Sequence, residues 1–259
     1  MNAVTFTQID ALKTAQVVLG EGKPVLMLHG WGAHIDLLLP LAQRLAPLGY
    51  RLYIPDLPGF GQTEAPPTGW SVHDYVQWII AYLNHHQLKR VHLFGHSFGG
   101  RLSLVLGAEH PQRVMKMALA NSAGVRTPAS ASSSLRLKTY RAALNSLQAV
   151  GLKAQAGQLR GWYSERYGSP DYKAAKGTMR ETFVKVVNED LLPYAARVQP
   201  STLLLWGDRD EETPLWQGQL LEKTIPDAGL VVYEGAAHYS YLERLPEAAR
   251  VIDYFFRQE

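Results

Sequence analysis

Short, largely apolar runs, with Val25–Leu28 apolar at every position, recur along this chain, each followed by a helix-like stretch, and constrain it more than any other feature. Val25-Leu26-Met27-Leu28, Tyr50–Ile54, Val91–Phe94, Val114–Ala120, Thr202–Trp206 and Leu230–Tyr233 are such runs. A strand that alternates apolar and polar residues buries one face. A run apolar throughout suits a strand covered on both faces, as in a parallel sheet between two helical layers. Between the runs, Asp36–Leu48 reads as a helix with Pro40 near its start or bending it. Ser71 opens a helix to about His86, as N-cap with Asp74 three residues on, and Phe98–Glu109 forms another. Val4–Ile9 and Ala15–Leu19 read as opening strands, closed by the turn Gly20–Pro24. The fold class expected is α/β, with a mostly parallel, doubly wound sheet. Ligands of such sheets sit beyond the carboxyl ends of the strands, so chemistry is sought there.

The rhythm breaks once. Residues 122–199 contain no convincing strand, and Pro128–Ser134 is small and polar, like a hinge. Beyond it Leu137, Tyr140, Leu144 and Leu147 share one helical face, as do Met179, Phe183, Val186 and Val187, with Gly151, Gly168 and Pro170 as punctuation. The expected organisation is a core of residues 1–121 and 200–259 carrying a helical cap insertion at 122–199.

Composition removes several classes of function. The 259 residues suit one large domain with an insertion, and 46% are hydrophobic. The net charge is only +3, and Lys and Arg never cluster, so no nucleic-acid partner is expected. There is no cysteine, which excludes a thiol nucleophile, disulfides and cysteine-based zinc sites. The first twenty residues lack a secretory signal pattern, and no stretch approaches a membrane span. A soluble, cytoplasmic protein with no membrane partner is the expectation; oligomeric state is not legible.

Gly95-His96-Ser97-Phe98-Gly99-Gly100 directly follows the strand Val91–Phe94 and opens a helix. This is a G-x-S-x-G pattern in the strand-turn-helix context that gives it meaning. Side chains two before and two after the serine would crowd so sharp a turn, so glycine stands at both places. The turn pushes the Ser97 hydroxyl outward, and the first N–H groups of the helix point toward a reacting oxygen. On these residues the chain resembles the α/β-hydrolase superfamily, in its cap-bearing group of esterases and related hydrolases.

The resemblance implies further roles. A neutral serine needs a general base, and histidine suits that task. The family order is Ser, then Asp or Glu, then His. Eight of nine histidines lie at or before His110, which leaves His238, just past the strand Leu230–Tyr233. The acid falls in Gly207-Asp208-Arg209-Asp210-Glu211-Glu212-Thr213-Pro214. Asp210 has the family spacing from both the glycine and the proline; Asp208, Glu211 and Glu212 stay as alternatives. For the oxyanion hole, one N–H comes from Phe98 and, by resemblance, the other from Trp31 in His29-Gly30-Trp31-Gly32. Asp56-Leu57-Pro58-Gly59-Phe60-Gly61 resembles a structural turn of these proteins.

A cap over the strand ends would roof the site and exclude water. His29, His96, Trp162, Tyr163, Phe183 and Tyr239 are expected to line the substrate pocket, with Tyr167 and the other cap aromatics alternatively packing the cap itself. Arg141, Arg160 and Arg180 are candidate carboxylate anchors or plain surface residues. The activity implied is hydrolysis of a small carboxylic ester through an acyl-enzyme, with no metal and no cofactor. Carbon–carbon hydrolysis of ring-cleavage products shares the machinery, as do thioester and lactone hydrolysis. Asn often precedes the serine in the carbon–carbon group, where this chain has His96. A non-catalytic small-molecule receptor on the same fold is the reading from another class.

Overall fold

A computed structural model describes residues 3–126, 131–167 and 169–258. Eight strands form one sheet: β1 (Thr5–Ile9), β2 (Leu12–Leu19), β3 (Lys23–Leu28), β4 (Tyr50–Pro55), β5 (Val91–His96), β6 (Val114–Ala120), β7 (Thr202–Gly207) and β8 (Ala228–Tyr233). Their order is β1-β2-β4-β3-β5-β6-β7-β8. β1 and β2 form an antiparallel hairpin, and β2 runs antiparallel to β4; every other pairing is parallel. The mostly parallel α/β sheet expected from the apolar runs is therefore the fold. All six residues of β5 and of β7 are buried, as a strand covered on both faces requires.

Helices cover both faces. On one face lie α1 (Leu39–Leu45), α10 (Ser240–Glu243) and the C-terminal α11 (Leu245–Arg257), whose Leu41, Leu45, Tyr241, Ile252 and Phe256 pack with Val25, Met27 and Phe94. On the other lie α2 (Val72–His85), α3 (Phe98–Glu109) and α9 (Leu215–Thr224), with Ile79, Leu102 and Leu221 against Leu26, Leu93 and Leu204. The Ser71 side chain and the Asp74 carboxylate close the expected capping box at the start of α2. The single helix expected over residues 36–48 is instead three pieces: 3-10 turns at Ile35–Leu37 and Ala46–Leu48 flank α1. Pro40 and Pro47 each stand in the opening turn of a piece, since a residue without an N–H fits only there.

Between β6 and β7 the chain runs through α4 (Ala131–Ala149), α5 (Lys153–Tyr167), α6 (Pro170–Ala174), α7 (Gly177–Asn188) and α8 (Leu192–Ala195). The hinge expected at 128–134 lies partly outside the described residues, and Gly168 wholly so; 131–134 open α4. α4 and α5 pack on each other, with Tyr140 and Tyr163 stacked at 3.8 Å. α7 turns back onto the sheet domain, where the Trp70 N–H donates to Thr182 Oγ1 at 2.9 Å. α8 packs against α3 and α9. Among the described residues no helix is long and apolar enough to cross a membrane.

Candidate active site

The site begins with a strained residue. Ser97 stands between β5 and α3 with φ 50° and ψ −106°, a left-handed conformation that a side chain ordinarily avoids. The surroundings hold it there. Its N–H donates to Ala120 O and its carbonyl accepts from Ala123, at 3.1 and 3.0 Å. A Cβ on Gly99 would stand 2.1 Å from Leu28 O, and one on Gly95 2.7 Å from Gly99 O, so only glycine lets α3 dock this closely on β3 and β5. Gly30 packs beside the turn as well: a Cβ there would be 3.4 Å from the Ser97 Cβ.

Opposite the turn, His238 and Asp210 form a buried pair. His238 Nδ1 lies 2.9 Å from Asp210 Oδ2. The histidine side chain is 8% exposed and the aspartate side chain 0%. Burial on its own would raise the Asp210 pKa. Hydrogen bonds from His238 and Thr213 outweigh it and bring the carboxyl down to about 2. Oδ1 accepts the N–H groups of Glu212 and Thr213, and Oδ2 accepts Thr213 Oγ1 at 2.6 Å and Asn121 Nδ2 at 2.6 Å. Asn121, at φ 46° just past β6, also accepts from Ser240 Oγ at 2.5 Å, which ties the acid to the segment that carries His238. Asp208 does different work: its Oδ1 accepts the Gly235 N–H at 2.7 Å and braces the turn before His238.

The remaining nitrogen of His238 is occupied. Nε2 lies 3.3 Å from Glu212 Oε2, and the Ser97 hydroxyl makes no hydrogen bond to it in this arrangement. The two histidines expected in the pocket stand behind it. His96 Nε2–H donates to the carbonyl of His238 at 2.9 Å, and its ring packs 4.9 Å from the His238 ring. Burial, with His238 next to it, pushes the His96 pKa down to about 3, so it is neutral. His29 Nε2 accepts the Leu57 N–H at 2.9 Å and thereby joins the loops after β3 and β4. Burial lowers its pKa to about 4. Within that second loop Asp56 accepts the N–H groups of Ile35 and Gln62, the structural turn expected there.

A cavity of about 470 Å³ opens over Ser97. Trp31, Phe98, Phe183, Val186 and Val187 form its apolar wall, and Arg101, Asp171, Glu212 and Thr213 add polar groups. Trp31 anchors that wall, 4.8 to 5.4 Å from the rings of Phe60, Phe183 and Phe98. Of the expected pocket residues, Phe183 lines this cavity. Tyr239 lies against the His96 and His238 rings, outside the lining. Trp162 and Tyr163 line a separate groove between α4 and α5, because their faces turn toward Arg136, Tyr140 and Tyr167. Arg141, Arg160 and Arg180 are absent from the lining; Arg180 is held by Ala175 O and the Tyr172 ring. Asn121, Thr213, Ser240 and Arg101 carry no motif signal; only Thr213, beside the candidate acid, stood in a segment the sequence marks. Among the described residues no group of three or more His, Asp or Glu is disposed to hold a metal ion.

Known proteins resemble the chain over nearly its whole length. A pimeloyl-[acyl-carrier protein] methyl ester esterase of Chromobacterium violaceum is 29% identical, across 90% of this chain and 94% of its own. A 2-hydroxymuconate semialdehyde hydrolase of Pseudomonas putida is 28% identical, across 92% and 89%. The esterase from Exiguobacterium antarcticum superposes with a TM-score of 0.76 at 22% identity, covering 98% of this chain and 99% of that one. The profile of the alpha/beta hydrolase fold family matches residues 23–245. By that match and by its sheet, the chain belongs to the α/β hydrolase fold family.

Proposed function

We propose that this hydrolase is a serine esterase that cleaves a small carboxylic ester through an acyl-enzyme, with Ser97 as nucleophile, His238 as base and Asp210 as acid. The observation that carries the reading is the buried 2.9 Å contact of His238 Nδ1 with Asp210, at the same end of the sheet as the strained Ser97 turn. That contact fixes the imidazole tautomer and leaves Nε2 for the serine proton. Glu212 sits on Nε2 in the resting arrangement, but its side chain is 69% exposed. That exposure lets the Glu212 side chain turn into water and release Nε2. Ser97 Oγ then attacks the carbonyl carbon as Nε2 takes its proton. The oxyanion meets the N–H groups of Phe98 and Trp31. Of the first four N–H groups of α3, Gly99 and Arg101 donate to His29 O and Ser97 O; of the other two, that of Phe98 follows the serine directly and serves the oxyanion. The carbon–oxygen bond to the alcohol breaks as His238 returns the proton, and water, activated the same way, releases the acid. The helices between β6 and β7 act as a cap: Phe183, Val186 and Val187 line the cavity over Ser97 and would shield a bound acyl group on that side from water.

The relatives named as a methyl ester esterase and a semialdehyde hydrolase support hydrolysis, and an ester substrate agrees with the first. The second favours carbon–carbon cleavage as the alternative. A fluorophosphonate should add one adduct, at Ser97, and Ser97→Ala should abolish both the adduct and the turnover of p-nitrophenyl esters. Folded wild-type protein that stays unlabelled would end the serine mechanism. Turnover of a ring-fission product with no ester turnover would select the alternative.

A further inference from the structure

With Ser97 as the nucleophile proposed above, Arg101 is the buried cation beside it. It belongs to α3, one turn beyond Ser97, and lines the same cavity. Four residues of helix rise about 6 Å, so Arg101 and Ser97 stand one turn apart on the same face of α3. The residue is 6% exposed. A buried cation ordinarily sits against a carboxylate, because desolvation is otherwise uncompensated. Arg101 has no such partner at salt-bridge distance among the described residues. Its Nη1 donates to a neutral acceptor, Glu189 O, at 2.8 Å. Burial lowers its pKa to about 10, with the more distant Glu189 and Asp190 carboxylates opposing, so it remains charged at neutral pH.

The cavity is therefore polar in a defined sense. Among the described residues Arg101 is the one basic side chain in its lining, while the carboxylates there, Asp171 and Glu212, lie by His238. The leaving alcohol must be protonated by His238, so it departs on the carboxylate side. An acyl chain directed away from His238 has the apolar side chains and Arg101 of the same lining to meet.

The geometry points to a substrate whose acyl chain ends in a second carboxylate, a monoester of a dicarboxylic acid, with that carboxylate paired to Arg101. A guanidinium offers a planar fork that binds a carboxylate through two parallel hydrogen bonds.

The decisive comparison is monomethyl adipate against methyl hexanoate, which differ in the terminal carboxylate. Wild-type kcat/KM, followed by acid release in a pH-stat, should favour the adipate by at least about tenfold, the effect of about one well-made charged contact. Arg101→Met should erase that ratio and Arg101→Lys restore part of it. A role as a strut on Glu189 would lower both substrates together and leave the ratio unmoved. No preference in wild type, or a preference that survives Arg101→Met, overturns the assignment. Calorimetry on Ser97→Ala protein reads the same site without turnover: monomethyl adipate should bind about tenfold more weakly once Arg101→Met is added. Equal binding overturns the assignment there too. Failure of fluorophosphonate labelling would remove the nucleophile while calorimetry still decides the anion site.

Discussion

Asp210 illustrates how single residues are tuned here. Its carboxylate is out of water, yet donors from four other residues surround it, and the charged form wins. The folded pKa of about 2 lies below the roughly 3.9 of an unfolded aspartate. Its stabilising contribution is therefore full above about pH 4 and disappears as pH falls through the folded value. Thr213→Val removes the 2.6 Å hydroxyl contact to Oδ2 and leaves a buried charge short of a donor. Urea unfolding at pH 7 should show a loss of about 1.5–3 kcal/mol, the range for a hydrogen bond to a charged group. The loss should shrink at pH 2–3, where the carboxyl gains its proton. An unchanged midpoint at pH 7 would show that Thr213 does not support the acid.

At the scale of elements, close packing of α3 against β3 decides where Ser97 points. Gly99→Ala must push the helix away from Leu28 O, which a Cβ would meet at 2.1 Å. Overpacking of this kind costs about 1–3 kcal/mol, sometimes more. The expected outcome is a lower melting temperature together with much slower fluorophosphonate labelling, because the turn moves with the helix. Ser71→Ala is the contrasting change. It opens the capping box of α2, far from the cavity, and should cost about 1 kcal/mol with labelling unaltered. The elements themselves were largely legible, since strands such as β3 and β7 announce themselves by runs like Val25–Leu28 and Leu203–Trp206. The split of the first helix was less so: Pro40 marks one break, but the second depends on Pro47 and on Gly49 at φ 92°.

Across the whole molecule, four histidines wholly or partly out of water should set the acid limit. Burial lowers His29, His86 and His92 to about 4 and His96 to about 3. In the unfolded chain each titrates near 6.5. The unfolded state thus takes up protons first, and stability falls as pH drops from about 6.5 toward 4. Melting temperature recorded across that range should decline steeply, and His92→Gln should flatten the decline. A level profile would mean that these histidines gain compensating partners on protonation.

What the sequence determined by itself was the short-range content. Resemblance to a known family put Asp210 and His238 beside Ser97 as candidates; the sequence itself set the apolar runs that suit a doubly covered sheet and the glycine-flanked serine turn after the fifth strand. Each of these depends on neighbours within one strand, turn or helix. The tertiary structure alone decided the contacts between segments: Asn121 on Asp210 across 89 residues, His96 on the His238 carbonyl across 142, Glu212 against Nε2, and Arg101 facing the cavity rather than solvent. Such contacts follow from which strand lies beside which and from how side chains share a closed space. A local pattern of apolar and polar residues carries neither, so a buried arginine on a helix reads in sequence like any exposed one.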